Sequence, residues 1–409
     1  MSNNPNQTPP TPAPLPPPVP PQTAQPTSQA APQVPAPQVP VPQVPAPQVP
    51  APQVPAPQAP VPPGPPLFTV SQSDSYFNRG TFDQNVAAFA ACQNLTTGYK
   101  ILDRQQPFYP GFYCLGAISS LGKTTFAQQM ADQIAASGRY VLYVTLEQTD
   151  FELFSKSLAR GFWRTNRLDT KINKCVSTYP TPSSIDIRRN QTGYPAEVAR
   201  QINDYISAVG ARVIVAHGAF SMTVEDIIQL IDLAMAQLGA KPVVIVDYLQ
   251  IVAPTQINGR IPDTKTSIDH IVHTLKAKQS TDGLTVLAIS SMNRQNYLSP
   301  VDFESFKESG GIEYTADVIW GLQLSILSDD DFYFKVDKDN KRRETSLKEK
   351  REMVKHAKAA CPRCIDLVCL KNRYGISSYE VPFWYYPSVD YFGPVYNPSD
   401  PDTIDDYKL

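Results

Sequence analysis

The stretch of this sequence best suited to chemistry runs from Gly116 to Thr125 and reads Gly-Ala-Ile-Ser-Ser-Leu-Gly-Lys-Thr-Thr. It lies between an apolar run and an amphipathic segment that starts at Phe126, the order in which a phosphate-binding P-loop joins a strand to a helix. In such a loop the backbone N–H groups and the helix N-terminus bind phosphates, the lysine reaches the terminal phosphates, and the hydroxyl ligates Mg²⁺. We therefore predict a nucleotide and Mg²⁺ site formed by Gly116, Ala117, Ser119, Ser120, Leu121, Gly122, Lys123, Thr124 and Thr125.

One position departs from the usual P-loop motif. The motif has Gly five residues before Gly122, where this chain has Ala117, and Gly116 lies one place earlier. From the motif alone, a Gly-Lys-Thr turn that arose by chance is the alternative to nucleotide binding.

Two carboxylates would complete such a site. Asp247 ends the apolar run Val243–Val246, so a buried strand would bring it to the sheet edge, where it can hold Mg²⁺ together with Thr124. Glu147 follows the predicted strand Val141–Thr145, which we expect beside the P-loop strand, and it could polarise a water for attack on the γ-phosphate. The alternative for Glu147 is an ordinary surface carboxylate.

Two cations near the end of the chain are further candidates. Lys371 and Arg373 alternate along one predicted strand end, so their side chains should share a face. Cations there could stabilise the charge that develops on a γ-phosphate, within one subunit or across a subunit boundary. Without that context they are two solvated charges.

Apolar runs alternate with amphipathic segments from Thr96 onward, and this alternation predicts the elements that position these residues. Strands separated by helices indicate an α/β fold with a doubly wound, mostly parallel sheet, which binds ligands at the carboxyl ends of its strands. The predicted strands are Phe112–Ile118, Tyr140–Thr145, Val213–Ala216, Val243–Val246 and Leu284–Ser290. The predicted helices are Lys123–Ser137, a helix that Thr149 and Glu152 begin with a capping box, Pro195–Gly210, Thr223–Leu238 and Ser267–Ser280.

Residues 1–66 differ from the rest of the 409-residue chain, since they hold 27 of its 42 prolines and no Asp, Glu, Lys or Arg. Proline fixes φ and removes backbone donors, so we predict a disordered polyproline arm, either a spacer or a docking site for an unknown partner. Residues 67–95 are predicted as a linker or docking helix, residues 96–395 as the globular domain, and residues 396–409 as an acidic tail.

The bulk properties narrow the class of protein. A net charge of −2 gives no global basic signature, so any contact with nucleic acid must be local. The sequence shows no apolar run of membrane-spanning length and no signal peptide at its N-terminus, which predicts a cytoplasmic protein with no membrane partner. The cysteines should be reduced, although His356, Cys361, Cys364 and Cys369 could instead bind zinc.

Several motifs, taken together, resemble those of DnaB-like replicative helicases over about residues 96–392. The motifs are Thr97–Asp103, Ala117–Thr125, Leu146-Glu147, Asp247-Tyr248-Leu249-Gln250, Ser291–Arg294, Glu308–Glu313 with Ala316-Asp317, and Lys371–Gly375. That family tolerates Ala at the first P-loop position, so Ala117 supports the resemblance. The resemblance implies a RecA-like ATPase domain.

The resemblance also implies partners and roles. It implies a homohexameric ring that binds ATP and Mg²⁺ between subunits and single-stranded DNA in its centre. Lys123 and Thr124 would bind phosphate and Mg²⁺, Glu147 would be the catalytic base, and Asp247 the metal carboxylate. Lys371 and Arg373 would reach the nucleotide of the adjacent subunit. The residues expected to face DNA are Arg260, Arg294 and Lys307.

Three features depart from the family. Ser291 replaces a Gln that is thought to sense the γ-phosphate. The loop Gln295–Lys307 carries Asp302 and Glu304 and little positive charge. The Pro-rich arm stands where the family has a helical N-terminal domain.

Three hypotheses follow. The first is a ring-forming, ATP-driven DNA helicase or translocase acting in replication. The second is a RecA-like ATPase that loads or regulates other proteins on DNA without unwinding it. The third is an interaction module in which the Pro-rich arm is the functional element.

Overall fold

The computed structural model describes residues 83–84, 86–87, 95–168, 183–188, 203–204, 206–256, 259–293, 297–306, 309–336 and 342–395. All of them belong to the second of two units into which the chain divides, residues 72–409. The predicted arm and tail, nearly all of the linker, and most of the predicted helix Pro195–Gly210 lie outside these residues.

A nine-stranded sheet forms the centre of this unit. The strands are β1 Gly111–Ala117, β2 Val141–Thr145, β3 Val213–His217, β4 Val243–Asp247, β5 Thr285–Ser291, β6 Val318–Leu324, β9 Arg363–Asn372, β10 Glu380–Tyr386 and β11 Tyr391–Pro394. They lie in the order β11-β10-β9-β6-β1-β5-β4-β2-β3, in which β1 to β6 pair in parallel and β9, β10 and β11 extend one side of the sheet through antiparallel pairs. The α/β, mostly parallel fold is thus confirmed.

The helices follow the predicted alternation. They are α1 Lys100–Gln105, α2 Lys123–Ala136, α3 Asp150–Leu168, α4 Ser184–Arg188, α5 Val224–Leu238, α6 Thr264–Asp282 and α7 Ser309–Thr315. The Thr149–Glu152 capping box precedes α3, with the Glu152 amide donating to the Thr149 hydroxyl at 3.2 Å. Gly239 ends α5 at a φ of 60°, a left-handed conformation that glycine adopts without strain.

The charged segment after β6 packs as an appendage beside the sheet. It contains α8 Asp330–Tyr333, the hairpin of β7 Phe334–Val336 with β8 Arg342–Glu344, and α9 Leu347–Ala359. Its basic side chains form ion pairs on the surface, such as Arg343 with Glu349 at 2.7 Å.

Aromatic packing attaches the antiparallel strands to the P-loop helix α2. Phe126 of α2 packs edge-to-face against Phe383 of β10 and Phe392 of β11, with ring centroids 5.5 and 5.3 Å apart. The buried amide of Gln129 exchanges two hydrogen bonds with the Phe392 backbone, at 2.7 and 2.8 Å. Any displacement of α2 would therefore be transmitted to β11.

One expectation about the sheet was wrong. The strand Val141–Thr145 does not lie beside the P-loop strand, because β5 and β4 lie between them. Alternation along the sequence gives the number of parallel strands but not their lateral order.

Among the described residues, no helix is both long and apolar enough to cross a membrane.

Gly116 lies inside β1, where a Cβ atom would come within 2.4 Å of the Phe306 ring. We expect Gly116→Ala to lower the free energy of unfolding by about 1–3 kcal/mol through overpacking, measured by urea denaturation. The matched control is Gly310→Ala, because a Cβ there meets nothing within 4 Å. Equal stability of the two variants would contradict this account of Gly116.

Candidate functional site

The predicted phosphate loop connects β1 to α2. Ser120 and Gly122 adopt φ values of 68° and 90°, and this tight reversal places Gly122 at the start of α2. The loop backbone is also held from outside, because Lys358 donates to the Ser119 carbonyl at 3.1 Å and Arg363 donates to the Ser120 carbonyl at 2.8 Å. The N-terminus of the 14-residue helix α2 lies at the end of this loop, and the partial positive charge of a helix N-terminus favours anions.

A cleft of about 470 Å³ opens above this loop. The sequence-predicted residues in its lining are Ser119, Ser120, Gly122, Lys123, Thr124, Thr125, Glu147 and Ser291. Residues that sequence reasoning missed complete the lining: Gln148, Lys156, Tyr248, Arg363, Tyr385, Pro387 and Asp390. Gly116, Ala117, Leu121 and the predicted metal ligand Asp247 are not among the described lining residues, and all four are buried.

Asp247 lies at the carboxyl end of β4 and is only 1% exposed. Its Oδ2 accepts a hydrogen bond from the Tyr143 hydroxyl at 2.9 Å, whereas its buried Oδ1 has no hydrogen-bond partner among the described residues. Burial raises the pKa of this carboxyl, although hydrogen bonds from Tyr143 and Thr124 and the charge of Lys123 oppose the rise. A buried carboxylate oxygen left without a donor beside a hydroxyl suits a hard cation such as Mg²⁺.

Glu147 is exposed at the rim of the cleft, two residues beyond the end of β2. Thr145 pairs with Asp247 across β2 and β4, and the Leu146 amide donates to the Asp247 carbonyl at 3.0 Å. These contacts bring Glu147 close to Asp247, even though β2 is not next to β1. The charge of Glu147 is one of those that raise the pKa of Asp247.

Lys156 enters the cleft from the second turn of α3. Its side chain is only 17% exposed, and its Nζ lies 3.8 Å from Asp390 Oδ1, which also accepts the Thr125 hydroxyl at 3.1 Å. Burial lowers the pKa of Lys156, opposed by the charges of Asp390 and Asp247. A largely buried cation beside the phosphate loop is positioned to meet an anionic ligand.

Ser291, which replaces the family's Gln, ends β5 opposite Ala117. The Gln250 amide contacts both serines there: its Nε2 donates to the Ser290 hydroxyl at 2.9 Å, and its Oε1 accepts the Ser291 amide at 3.0 Å. Gln250 thereby ties the segment after Asp247 to the end of the neighbouring strand, a function the motif alone does not reveal.

Lys371 and Arg373 lie at the opposite edge of the sheet. Strand β9 runs antiparallel to β6, so its end pairs with Val318 at the start of β6. The two cations share a face, as predicted, since both donate to the Tyr314 carbonyl, Lys371 at 3.5 Å and Arg373 at 3.0 Å. The length of β1, about 20 Å, separates this edge from the cleft.

The expected DNA-facing residues are only partly described. Arg260 is exposed and follows Gly259, whose φ is 74°. Arg294 and Lys307 lie outside the described residues. In the same loop, Asp302 caps a short 3₁₀ helix by accepting the Ser305 amide at 2.8 Å, so this acidic residue has a structural role.

The zinc alternative receives no support. In the described part of the chain, which includes His356, Cys361, Cys364 and Cys369, no group of three or more His, Cys, Asp or Glu could hold a metal ion. Burial raises the pKa of the Cys369 thiol to about 11, as expected of a cysteine in an apolar strand.

Comparisons with known proteins agree with this architecture. The family model described as DnaB-like helicase C terminal domain matches residues 94–376. A solved structure described as an ATPase domain shares 19% identity and a TM-score of 0.57, covering 78% of this chain and 97% of its own. A structure of a DnaB-like replicative helicase and its interactions with primase shares 19% identity and a TM-score of 0.56, and this chain covers 66% of it. No curated protein sequence matches the chain.

We expect Lys156→Met to weaken binding of a non-hydrolysable ATP analogue about tenfold, because a cation is lost beside the phosphates. The measurement is a fluorescence titration of the analogue with Mg²⁺ present. Lys355→Met, which changes a lysine 76% exposed on α9, is the matched control. Equal affinities of the two variants would remove Lys156 from the binding site.

Proposed function

We propose that this chain, which belongs to the DnaB-like helicase family, is an ATP-dependent DNA helicase or translocase. It would act in replication as a homohexameric ring. The observation that carries the proposal is the position of Lys371 and Arg373. They lie about 20 Å from the phosphate loop of their own subunit, so they can reach only the nucleotide of another copy.

The cleft supplies the groups that phosphoryl transfer to water requires. Lys123 and the amides of the loop bind the β- and γ-phosphates, and Glu147 accepts a proton from the attacking water. Thr124 and Asp247 would hold Mg²⁺, which neutralises phosphate charge when it is bound. Lys371 and Arg373 of the adjacent subunit would stabilise the charge that develops on the γ-phosphate.

DNA binding in the centre of the ring would be local rather than global. Arg260 is the candidate contact within the described residues, and it follows a glycine turn on the loop between β4 and α6. With a net charge of −2, the chain relies on repetition of this loop around a ring to collect positive charge.

One observation favours a second candidate, a RecA-like ATPase that loads or regulates proteins on DNA without unwinding it. The loop 295–307 carries Asp302 and Glu304, and the Asp302 side chain caps a short 3₁₀ helix. A poorly basic loop would bind DNA weakly and could instead contact protein.

We expect Lys123→Ala to abolish ATP hydrolysis and Glu147→Gln to lower kcat by about 10²–10⁴-fold while leaving nucleotide binding intact. The measurement is phosphate release with and without single-stranded DNA, which should stimulate the wild type. Glu352→Gln, which changes an exposed glutamate of α9, is the matched control for Glu147.

The same preparations should separate the strands of a forked duplex. Strong hydrolysis without strand separation would contradict the helicase and leave the ATPase intact. Hydrolysis that is indifferent to DNA would favour the second candidate. Wild-type activity of Lys123→Ala would contradict both.

A further inference from the structure

The Ala316-Asp317 pair belongs to the sequence motifs, yet the reaction as described gives Asp317 no role. Asp317 is 4% exposed and immediately precedes β6, at the edge of the sheet opposite the cleft. Burying a carboxylate is unfavourable unless hydrogen bonds and charges compensate it, so its partners indicate what it does.

The two oxygens of the Asp317 carboxylate have different partners. Oδ2 accepts the Phe112 amide at 2.8 Å and the Lys276 ammonium at 2.6 Å. Oδ1 accepts Nη1 of Arg373 at 3.2 Å. The Oδ2 contacts join the start of β1 to helix α6, while the Oδ1 contact is directed to the cation proposed to act on a neighbouring nucleotide.

Backbone atoms of the same region hold Arg373 as well. The Asp317 carbonyl accepts the Arg373 amide at 2.9 Å, and the Tyr314 carbonyl accepts Nη2 at 3.0 Å. The guanidinium is thus fixed on both of its terminal nitrogens, while the Arg373 side chain stays 50% exposed. A guanidinium that is both held in place and exposed to solvent can contact a ligand without first changing its conformation.

The charges around Asp317 leave a positive surplus. Lys276 and Arg373 contact this carboxylate, and Lys371, which donates to the Glu313 and Tyr314 carbonyls, is near enough to feel the charges of Asp317 and Glu313. Burial opposes ionisation of Asp317, but the hydrogen bonds from Lys276 and the Phe112 amide outweigh it and lower the pKa of the carboxyl. Burial also lowers the pKa of Lys371, and the charge of Arg373 lowers it further. An anion brought to this edge would relieve that repulsion.

We propose that Asp317 is the positioning residue for Arg373, and that Lys276 orients the Asp317 carboxylate for this role. This inference rests on the proposed function, because it requires Arg373 to act on the nucleotide of an adjacent subunit. Phe112 and Lys276 hold Oδ2, so Oδ1 keeps one orientation toward the guanidinium. Lys276 also offsets part of the attraction of Asp317 for Arg373, which leaves charge available for a phosphate.

The test compares Asp317→Asn, Arg373→Ala and the double variant in steady-state ATP hydrolysis. We expect Asp317→Asn to lower kcat by about 100-fold with little change in KM, since a misplaced cation is lost from the transition state. In the Arg373→Ala background the same change should have no further effect. Asp366→Asn, which alters another buried carboxylate of this sheet, is the matched control and should keep wild-type kcat.

Rings assembled from two different variants test whether Asp317 positions Arg373 or only stabilises the fold. Glu147→Gln subunits keep Asp317 and Arg373, so mixing them with Asp317→Asn subunits should restore hydrolysis at the intact clefts of the latter. Lys276→Met should give a smaller defect that is restored in the same way. Thermal unfolding of each variant shows whether it folds.

Wild-type kcat in Asp317→Asn or in Arg373→Ala would overturn the inference. So would an additive loss in the double variant, or a folded Asp317→Asn protein that mixing does not restore. Failure of the proposed function would give a different result, because Lys123→Ala and Glu147→Gln alter the cleft itself and would then leave ATP hydrolysis unchanged.

Discussion

Backbone hydrogen bonds between parallel strands hold Ala117 opposite Ser291 and Thr145 opposite Asp247. Because these strands run in the same direction, their carboxyl ends meet at one edge of the sheet, and the loop, Asp247 and Glu147 lie there together. Strand β9 runs against β6 and carries Lys371 and Arg373 to the other edge. The proposed division of the reaction between two subunits would thus follow from strand direction.

The cleft concentrates buried charge, which the protein compensates only in part. Arg160 is fully buried in α3, pairs with Asp132 of α2 and donates to the Asp390 carbonyl at 2.7 Å. Lys156, by contrast, is 3.8 Å from Asp390, and Asp247 keeps one oxygen without a donor among the described residues. The first network stabilises the fold, since breaking a buried pair is costly. Lys156 and Asp247, by contrast, could each form a further favourable interaction, Lys156 with a bound nucleotide and Asp247 with its metal ion.

The sequence was sufficient for features that depend on local patterns. The phosphate loop, the Thr149 capping box, the Gly239 stop and the strand that ends at Asp247 all follow from residues within one short window. Lys156 and Asp390 could not be paired in this way, because 234 positions separate them and only the folded sheet brings them together. The motif predicts Gly116 at the phosphates, yet Gly116 packs against Phe306, a contact that depends on the distant segment after β5. Short windows of sequence thus identify the loop residues and Glu147 in the cleft lining, whereas partners such as Lys156 and Asp390 become apparent only in the folded structure.

Helix α6 connects the proposed DNA loop with the opposite edge of the sheet. It begins at Thr264, shortly after Arg260, and its fourth turn carries Lys276 to Asp317. A 19-residue helix is about 28 Å long and nearly rigid, so a displacement at its start would be felt at Lys276. Asp317 contacts both Lys276 and Arg373, so such a displacement would reach the cation that we propose acts on the next subunit. DNA contact in one subunit and hydrolysis in its neighbour would then depend on the same buried carboxylate.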